Sequence, residues 1–79
     1  MRVIADIPHE GCKITVFAWN SRYIIKMERG LLEQTYKIDE FELSSIDDIN
    51  KLLDETFMQQ VMTRFTSMHS ELQAALNRV

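Results

Sequence analysis

The longest run of strand-forming residues in this chain is KITVFAWNSRYIIKMERGLLEQTYKI, residues 13–38. Its residues are mainly β-branched, aromatic and long aliphatic, a composition typical of half-buried strands. Two pairs of turn-forming residues, Asn20-Ser21 and Arg29-Gly30, divide it into three runs of strand length. The stretch therefore predicts three consecutive antiparallel strands joined by two tight turns.

The charges of the first hairpin predict its register. A loop at Asn20-Ser21 sets Lys13 opposite Glu28 and Val16 opposite Ile25. One face then carries opposite charges and the other carries apolar pairs, each worth about 0.2–1 kcal/mol. A slip of one residue would exchange the two faces, so charge and hydrophobicity together indicate which side is which. We expect Val16 to point inward and its chain neighbours to point outward.

The fourth strand is predicted over residues 31–38. A loop at Arg29-Gly30 sets Lys26 opposite Glu33, which adds another pair of opposite charges to the outer face. The same register leaves Gln34 on the apolar face, where a polar side chain conflicts with the pattern. A β-bulge at the glycine would shift the strand and remove this conflict.

A further strand precedes these, over about residues 2–7. Pro8 ends it, because proline lacks the N–H group that the ladder needs. The turn that follows sets Asp6 opposite Lys13 and faces Val3 inward. The N-terminal half is therefore predicted to be a four-stranded antiparallel meander with strand order 1-2-3-4.

The apolar spacing changes from alternation to a helical period near Ser44. A serine N-cap at Ser44-Ser45, with acidic residues in the first turn, predicts a short helix that ends near Asp54. A long helix follows at once, and Thr56 and Gln59 have the spacing of a capping box. The sequence predicts an α+β fold, a single domain over residues 1–79 in which a short helix and a long C-terminal helix pack on one sheet face.

The long helix is predicted to overhang the sheet. It spans roughly 35 Å at 1.5 Å per residue, whereas a strand of about seven residues spans about 23 Å. An apolar seam with alternating spacings of three and four residues continues into the overhang. Its candidate interface residues are Phe65, Met68, Leu72, Ala75, Leu76 and Val79. We predict that they pair with the same helix of a second subunit, parallel or antiparallel; packing on the short helix or fraying are the alternatives.

The outer face of the sheet is a second candidate interface, because it carries large apolar residues where a solvated face should be polar. Its candidate contact residues are Ile4, Phe17, Trp19 and Ile24, among Arg2, Arg22, Lys26 and Lys37. A second subunit or the short helix could cover this face. Aromatic residues flanked by cations can also stack single-stranded bases, and that site would consist of Phe17, Trp19, Arg2, Arg22 and Lys37. The net charge of −3 and the lack of an RNP-like motif argue against nucleic acid.

Composition indicates the protein's setting. Cys12 is the only cysteine among 79 residues, so no disulfide forms within the chain and a reducing, cytoplasmic compartment is expected. A domain this small usually needs added support, which points to self-association. The N-terminus is too short and too polar for a signal peptide. No apolar run approaches the roughly 20 residues that span a bilayer, so no membrane association is expected.

No residues of the chain are spaced like a catalytic or metal site. His9, Glu10 and Cys12 are close in sequence, but structural zinc takes four ligands in spaced pairs. A nucleophilic cysteine also needs a positioned base, which the sequence does not indicate. Ser67 and His69 are near in sequence, yet helical residues two apart point in different directions. We therefore expect no enzyme activity, no cofactor and no metal.

Residues 13–38, the following run IDDINKLLDETFM and the long terminal helix resemble a family of short bacterial proteins of uncharacterised function. The likeness covers nearly the whole chain. The resemblance implies a bacterial, cytosolic protein, and it implies no activity, ligand or catalytic residue. Taken with the surfaces above, the sequence predicts a small non-enzymatic protein–protein interaction module that forms a homodimer.

Overall fold

The computed structural model describes residues 1–79 and shows a four-stranded antiparallel sheet followed by helices. The strands lie in chain order: β1 (Arg2–Ile7), β2 (Lys13–Trp19), β3 (Arg22–Arg29) and β4 (Leu32–Asp39). A 3-10 turn over Glu40–Glu42 leads to α1 (Asp47–Leu52) and α2 (Glu55–Leu76). The predicted α+β fold, with its meander, short helix and long C-terminal helix, is confirmed.

The central hairpin has the predicted register. Lys13 lies opposite Glu28 and Val16 opposite Ile25, and both apolar side chains are fully buried. The loop residues Asn20-Ser21 have φ angles of 52° and 59°. Two successive positive φ angles mark a type I′ turn, whose twist matches that of the flanking strands. The turn geometry and the cross-strand charges therefore favour the same register.

The turn between β3 and β4 consists of Gly30-Leu31 rather than the predicted Arg29-Gly30. Its glycine has a φ of 61°, which suits the first loop position of a type II′ turn. Because the turn lies later in the chain, Lys26 is opposite Thr35 instead of Glu33. Its Nζ atom still lies 3.6 Å from a carboxylate oxygen of Glu33. The faces keep their predicted parity, and Leu31 becomes the tip of the hairpin.

Gln34 stays on the inner face, opposite Met27, so the bulge predicted at Gly30 does not occur. The Gln34 amide nitrogen donates a hydrogen bond to the Val61 carbonyl oxygen over 3.0 Å. The Gln34 side-chain oxygen accepts one from Arg64 Nε over 3.1 Å. A half-buried polar group is tolerated when it is hydrogen-bonded. Gln34 therefore ties β4 to α2 instead of disturbing the core.

β1 pairs with β2 in a different alignment from the prediction, because the loop Pro8–Cys12 is longer than the expected turn. Asp6 lies opposite Thr15 rather than Lys13. The Thr15 hydroxyl group donates a hydrogen bond to the Asp6 carboxylate over 3.4 Å. Ala5 still faces inward and packs against the core, so this part of β1 keeps its predicted parity.

A β-bulge at Ile4 reverses the facing of the first residues of β1. Beyond it, Val3 lies opposite Phe17 on the outer face and is exposed. Ile4 packs against the core, and Arg2 lies opposite the inner-face residue Ala18. The predictions that Ile4 and Arg2 lie on the outer face and Val3 on the inner face are therefore wrong. An extra residue in one strand turns the side chains beyond it to the other side.

Both helices begin differently from the sequence pattern. At α1 the N-cap is Ile46, and the Asp48 carboxylate accepts a hydrogen bond from the Ser44 backbone N–H over 2.8 Å. At α2 the N-cap is Asp54, whose carboxylate accepts a hydrogen bond from the Phe57 backbone N–H over 2.9 Å. The predicted serine cap and the Thr56 capping box are therefore both wrong.

Replacing Asp54 with alanine should lower the free energy of unfolding by about 0.5–2 kcal/mol, because an N–H group of the first turn loses its acceptor. Thr56→Ala is the matched control. Thr56 is exposed inside the first turn, where alanine has the better helix propensity, so stability should not fall. Urea unfolding followed by circular dichroism measures both changes. A larger loss at Thr56 than at Asp54 would contradict this assignment of the cap.

The core lies between the inner face of the sheet and both helices. It consists of eight buried residues: Ile14, Val16, Ile25, Met27, Ile49, Met58, Val61 and Phe65. Because Ile49 belongs to α1, the short helix packs on the same side of the sheet as α2. The hypothesis that the short helix covers the outer face is therefore wrong.

Candidate functional site

α2 runs antiparallel to β4 and then leaves the sheet. Near its start, the Phe57 ring packs edge-on against Tyr36 with ring centroids 5.5 Å apart. One turn further, the Val61 carbonyl oxygen accepts the hydrogen bond from Gln34. Phe65 is the last fully buried residue of the helix. These contacts with β4 come from the first half of α2, and no residue of the helix beyond Phe65 is fully buried.

The predicted interface residues of α2 differ in burial on the two sides of Phe65. Phe65 lies in the core, and Met68 and Ala75 are half-buried. Leu72 and Leu76 retain 46% and 54% of their surface. The exposed apolar stripe thus continues the buried one along the same helix. We call the residues Met68, Leu72, Ala75, Leu76 and Val79 the overhang seam.

A groove of about 530 Å³ separates the overhang seam from the end of the sheet. Leu31 and Leu32 line it from the β3–β4 hairpin, while Leu72 and Leu76 line it from α2. Leu31 is fully exposed. Leu31 was not predicted to be an interface residue, because the sequence pattern places it inside a strand. The signal in the sequence is Gly30, because glycine is favoured at the first position of a type II′ turn, and the next residue, Leu31, then lies at the tip.

The outer face of the sheet carries the second apolar surface. Val3, Phe17 and Ile24 form one row across β1, β2 and β3, and Trp19 lies beside it with 48% of its surface exposed. Ile24 is only 7% exposed although it lies outside the core cluster. The structure therefore brings together Phe17, Trp19 and Ile24 as predicted, with Val3 in the place expected for Ile4.

Acidic partners neutralise much of the positive charge on this outer face. Arg22 Nε lies 3.3 Å from an Asp39 carboxylate oxygen. Lys26 Nζ lies within 4.0 Å of carboxylate oxygens of both Glu28 and Glu33. Arg2, the remaining arginine of the predicted base-stacking set, lies on the other side of the bulge. Neither Arg2 nor Lys37 forms an ion pair in the chain, and of these two only Lys37 lies on the outer face.

His9 and Cys12 lie on either side of the first turn. His9 Nδ1 accepts a hydrogen bond from the Gly11 backbone N–H over 2.9 Å. Burial raises the pKa of the Cys12 thiol, and the nearby Arg29 opposes this only in part. A raised pKa reduces the thiolate fraction at neutral pH, and the thiolate is the nucleophile. No three His, Cys, Asp or Glu side chains are grouped closely enough to hold a metal ion.

The chain matches no protein-family model, no curated protein and no solved structure. None of its helices combines the length and the apolar character needed to cross a membrane. The overhang seam and the outer sheet face are the two apolar surfaces of the molecule.

Proposed function

We propose that this protein is a non-enzymatic interaction module that forms a homodimer through the overhang seam. The observation that carries the proposal is the continuity of the apolar stripe of α2. Up to Phe65 the stripe is buried against the protein's own sheet, whereas Leu72 and Leu76 keep 46% and 54% of their surface exposed and Val79 is fully exposed. The same apolar face of α2 is thus buried within the chain over its first half and partly exposed over its second half.

A second copy of α2 suits the overhang seam better than a flat surface does. The seam residues recur at spacings of three and four, the pattern by which side chains of one helix fit between those of another. Burying a leucine fully is worth about 1.5–3 kcal/mol, and the seam and the groove beside it expose Leu31, Leu72 and Leu76. In a dimer with twofold symmetry each of these residues contributes from both subunits, so its burial counts twice.

We place the proposed dimer in a bacterial cytoplasm. The resemblance to short bacterial proteins supports this setting, as does the free thiol of Cys12, because unpaired cysteines are usual in reducing compartments. Exposed apolar seams on small cytoplasmic domains are ordinarily covered by a partner.

The alternative function, binding of single-stranded nucleic acid to the outer sheet face, has less support. Phe17 and Trp19 offer stacking surfaces, and Lys37 offers a free charge. Phosphate binding depends on unpaired cations, however, and Arg22 is paired with Asp39. An oligonucleotide that quenches Trp19 fluorescence at low salt would favour this alternative.

Sedimentation velocity over a range of protein concentrations tests the proposal. The average mass should rise from the 9.3 kDa of one chain towards twice that value as the concentration passes through the micromolar range. A single species of 9.3 kDa that persists at high micromolar concentration would reject self-association.

A further inference from the structure

We infer that the second copy binds antiparallel, so that the two α2 helices cross a twofold axis between residues 73 and 74. This inference rests on the proposed self-association and specifies its geometry. In such a pair, residue n lies at the level of residue 147−n of the other helix. Met68 then meets the partner's Val79, and Leu72 meets the partner's Ala75. The symmetry generates the reciprocal contacts.

Two charges beside the overhang seam favour this register. Glu71 lies in α2, and Arg78 lies in the turn that directly follows its last residue, Leu76. The backbone N–H groups of Arg78 and Val79 still donate to the carbonyl oxygens of Ala75 and Leu76, so this turn continues the course of the helix and Glu71 and Arg78 lie along the same edge of the seam. Neither forms an ion pair within its own chain. In the antiparallel pair, Glu71 comes within about 3 Å, measured along the helix axis, of the partner's Arg78. The antiparallel dimer therefore contains two Glu71–Arg78 contacts between opposite charges, one on each side of the twofold axis.

Sliding the pair by one heptad towards the sheets is less favourable. Glu71 would then lie beside the partner's Glu71, and Arg64 beside the partner's Arg78, so that like charges meet along this edge of the seam. Arg64 is also engaged by Gln34 within the chain. This register further requires Phe65, whose side chain is already enclosed by its own core.

The other arrangements of the two helices lose contacts. Sliding by one heptad away from the sheets leaves only Ala75 and Val79 in the interface. A parallel pair sets Glu71 beside the partner's Leu76, where the carboxylate has no opposite charge. Only the antiparallel register centred between residues 73 and 74 combines the exposed seam with opposite charges.

The groove beside the overhang seam fits the same arrangement. The partner's Val79 lies at the level of Met68, next to the groove that Leu31 and Leu72 border. The end of each helix can therefore cover the fully exposed Leu31 of the other subunit. In a parallel pair, the ends of both helices would point away from both grooves. The antiparallel pair thus accounts for the exposed hairpin tip as well as for the exposed helix.

Charge reversal tests the predicted contact. Glu71→Arg and Arg78→Glu should each weaken dimerisation about tenfold at low salt, because each turns two attractive contacts into two repulsive ones. The double variant restores opposite charges and should return to within about threefold of the parent Kd. Lys37→Glu is the matched control, since it changes the net charge as Arg78→Glu does but on the outer sheet face; its Kd should equal that of the parent.

Distances between spin labels test the direction of the helices. Thr56, Thr63 and Ser70 are exposed and lie one heptad apart on the same side of α2. Each is replaced by cysteine and labelled in a Cys12→Ser background. The antiparallel pair predicts axial separations of about 50, 30 and 10 Å at these three positions. A parallel pair predicts the same separation at all three.

The two experiments separate failure of the geometry from failure of self-association. Equal label distances, or a double variant that dimerises more weakly than either single variant, would overturn the antiparallel register in a protein that is still dimeric. A parent protein that sediments as a monomer, with no dipolar coupling between labels, would overturn the proposed dimer itself. A falling series of distances together with restored affinity supports both.

Discussion

Leu72→Glu should convert the proposed dimer into a folded monomer, with a Kd raised by more than about 100-fold. Leu72 keeps 46% of its surface exposed in the single chain, and the dimer would bury that remainder in two copies. The loss of this burial costs about 1.5 kcal/mol for each half-buried leucine. Two carboxylates placed in an apolar interface add their desolvation cost. Sedimentation equilibrium measures the Kd, and circular dichroism checks that the fold remains.

Trp19→Glu is the matched control for this change. Trp19 is exposed to nearly the same extent, at 48%, but lies on the outer sheet face. Its replacement introduces the same charge at an equally large apolar residue. We expect dimerisation of Trp19→Glu to match that of the parent. The opposite result, with a monomeric Trp19→Glu and a dimeric Leu72→Glu, would assign the interface to the sheet face.

Phe65→Ala should lower the free energy of unfolding by about 3–5 kcal/mol, because truncation of a buried phenylalanine leaves a cavity. Phe65 is 1% exposed and is the last core residue of α2. A chain of 79 residues has a total stability of roughly 4–12 kcal/mol. The substitution should therefore remove a large share of the total stability. Urea unfolding at low micromolar concentration, where dimerisation contributes little, measures the loss.

Phe41→Ala removes the same atoms from an exposed site and serves as the control. Phe41 lies in the 3-10 turn and is 89% exposed, so its removal should change stability by less than about 0.5 kcal/mol. Similar losses for Phe41 and Phe65 would show that α2 is not docked on the sheet as described.

The sequence predicts the central hairpin well because two independent signals agree there. The opposite charges of Lys13 and Glu28 and the burial of Val16 and Ile25 require one register. The turn residues Asn20-Ser21 adopt the positive φ angles that this register needs. Local turn chemistry and cross-strand pairing both act over a short stretch of chain, so both can be read from it.

The outer strands are harder to predict because their registers depend on distant contacts. Either residue next to Gly30 can complete a two-residue turn, and the choice decides whether Leu31 is in a strand or at a tip. Val3 and Ile4 have equal strand propensities, so nothing local shows which one faces the core. Packing of Ile4 against the core decides it, and that contact involves residues far along the chain.

The candidate interface is predictable in part for a geometric reason. A helix of 22 residues spans about 33 Å and cannot be covered by strands of six to eight residues. The exposure of Leu72 and Leu76 follows from that mismatch. The contribution of Leu31 could not be foreseen, because it depends on the turn that the sequence pattern misplaced by one residue.

The bulge at Ile4 has a consequence for how molecules of this protein can meet. A four-stranded sheet has two edge strands. Their unpaired backbone N–H and C=O groups can pair with strands of other molecules, which leads to aggregation. The bulge distorts the edge strand β1. The other edge strand, β4, carries the charged residues Glu33, Lys37 and Asp39. Both features discourage the open-ended addition of strands, which is compatible with the closed pair proposed for the helices.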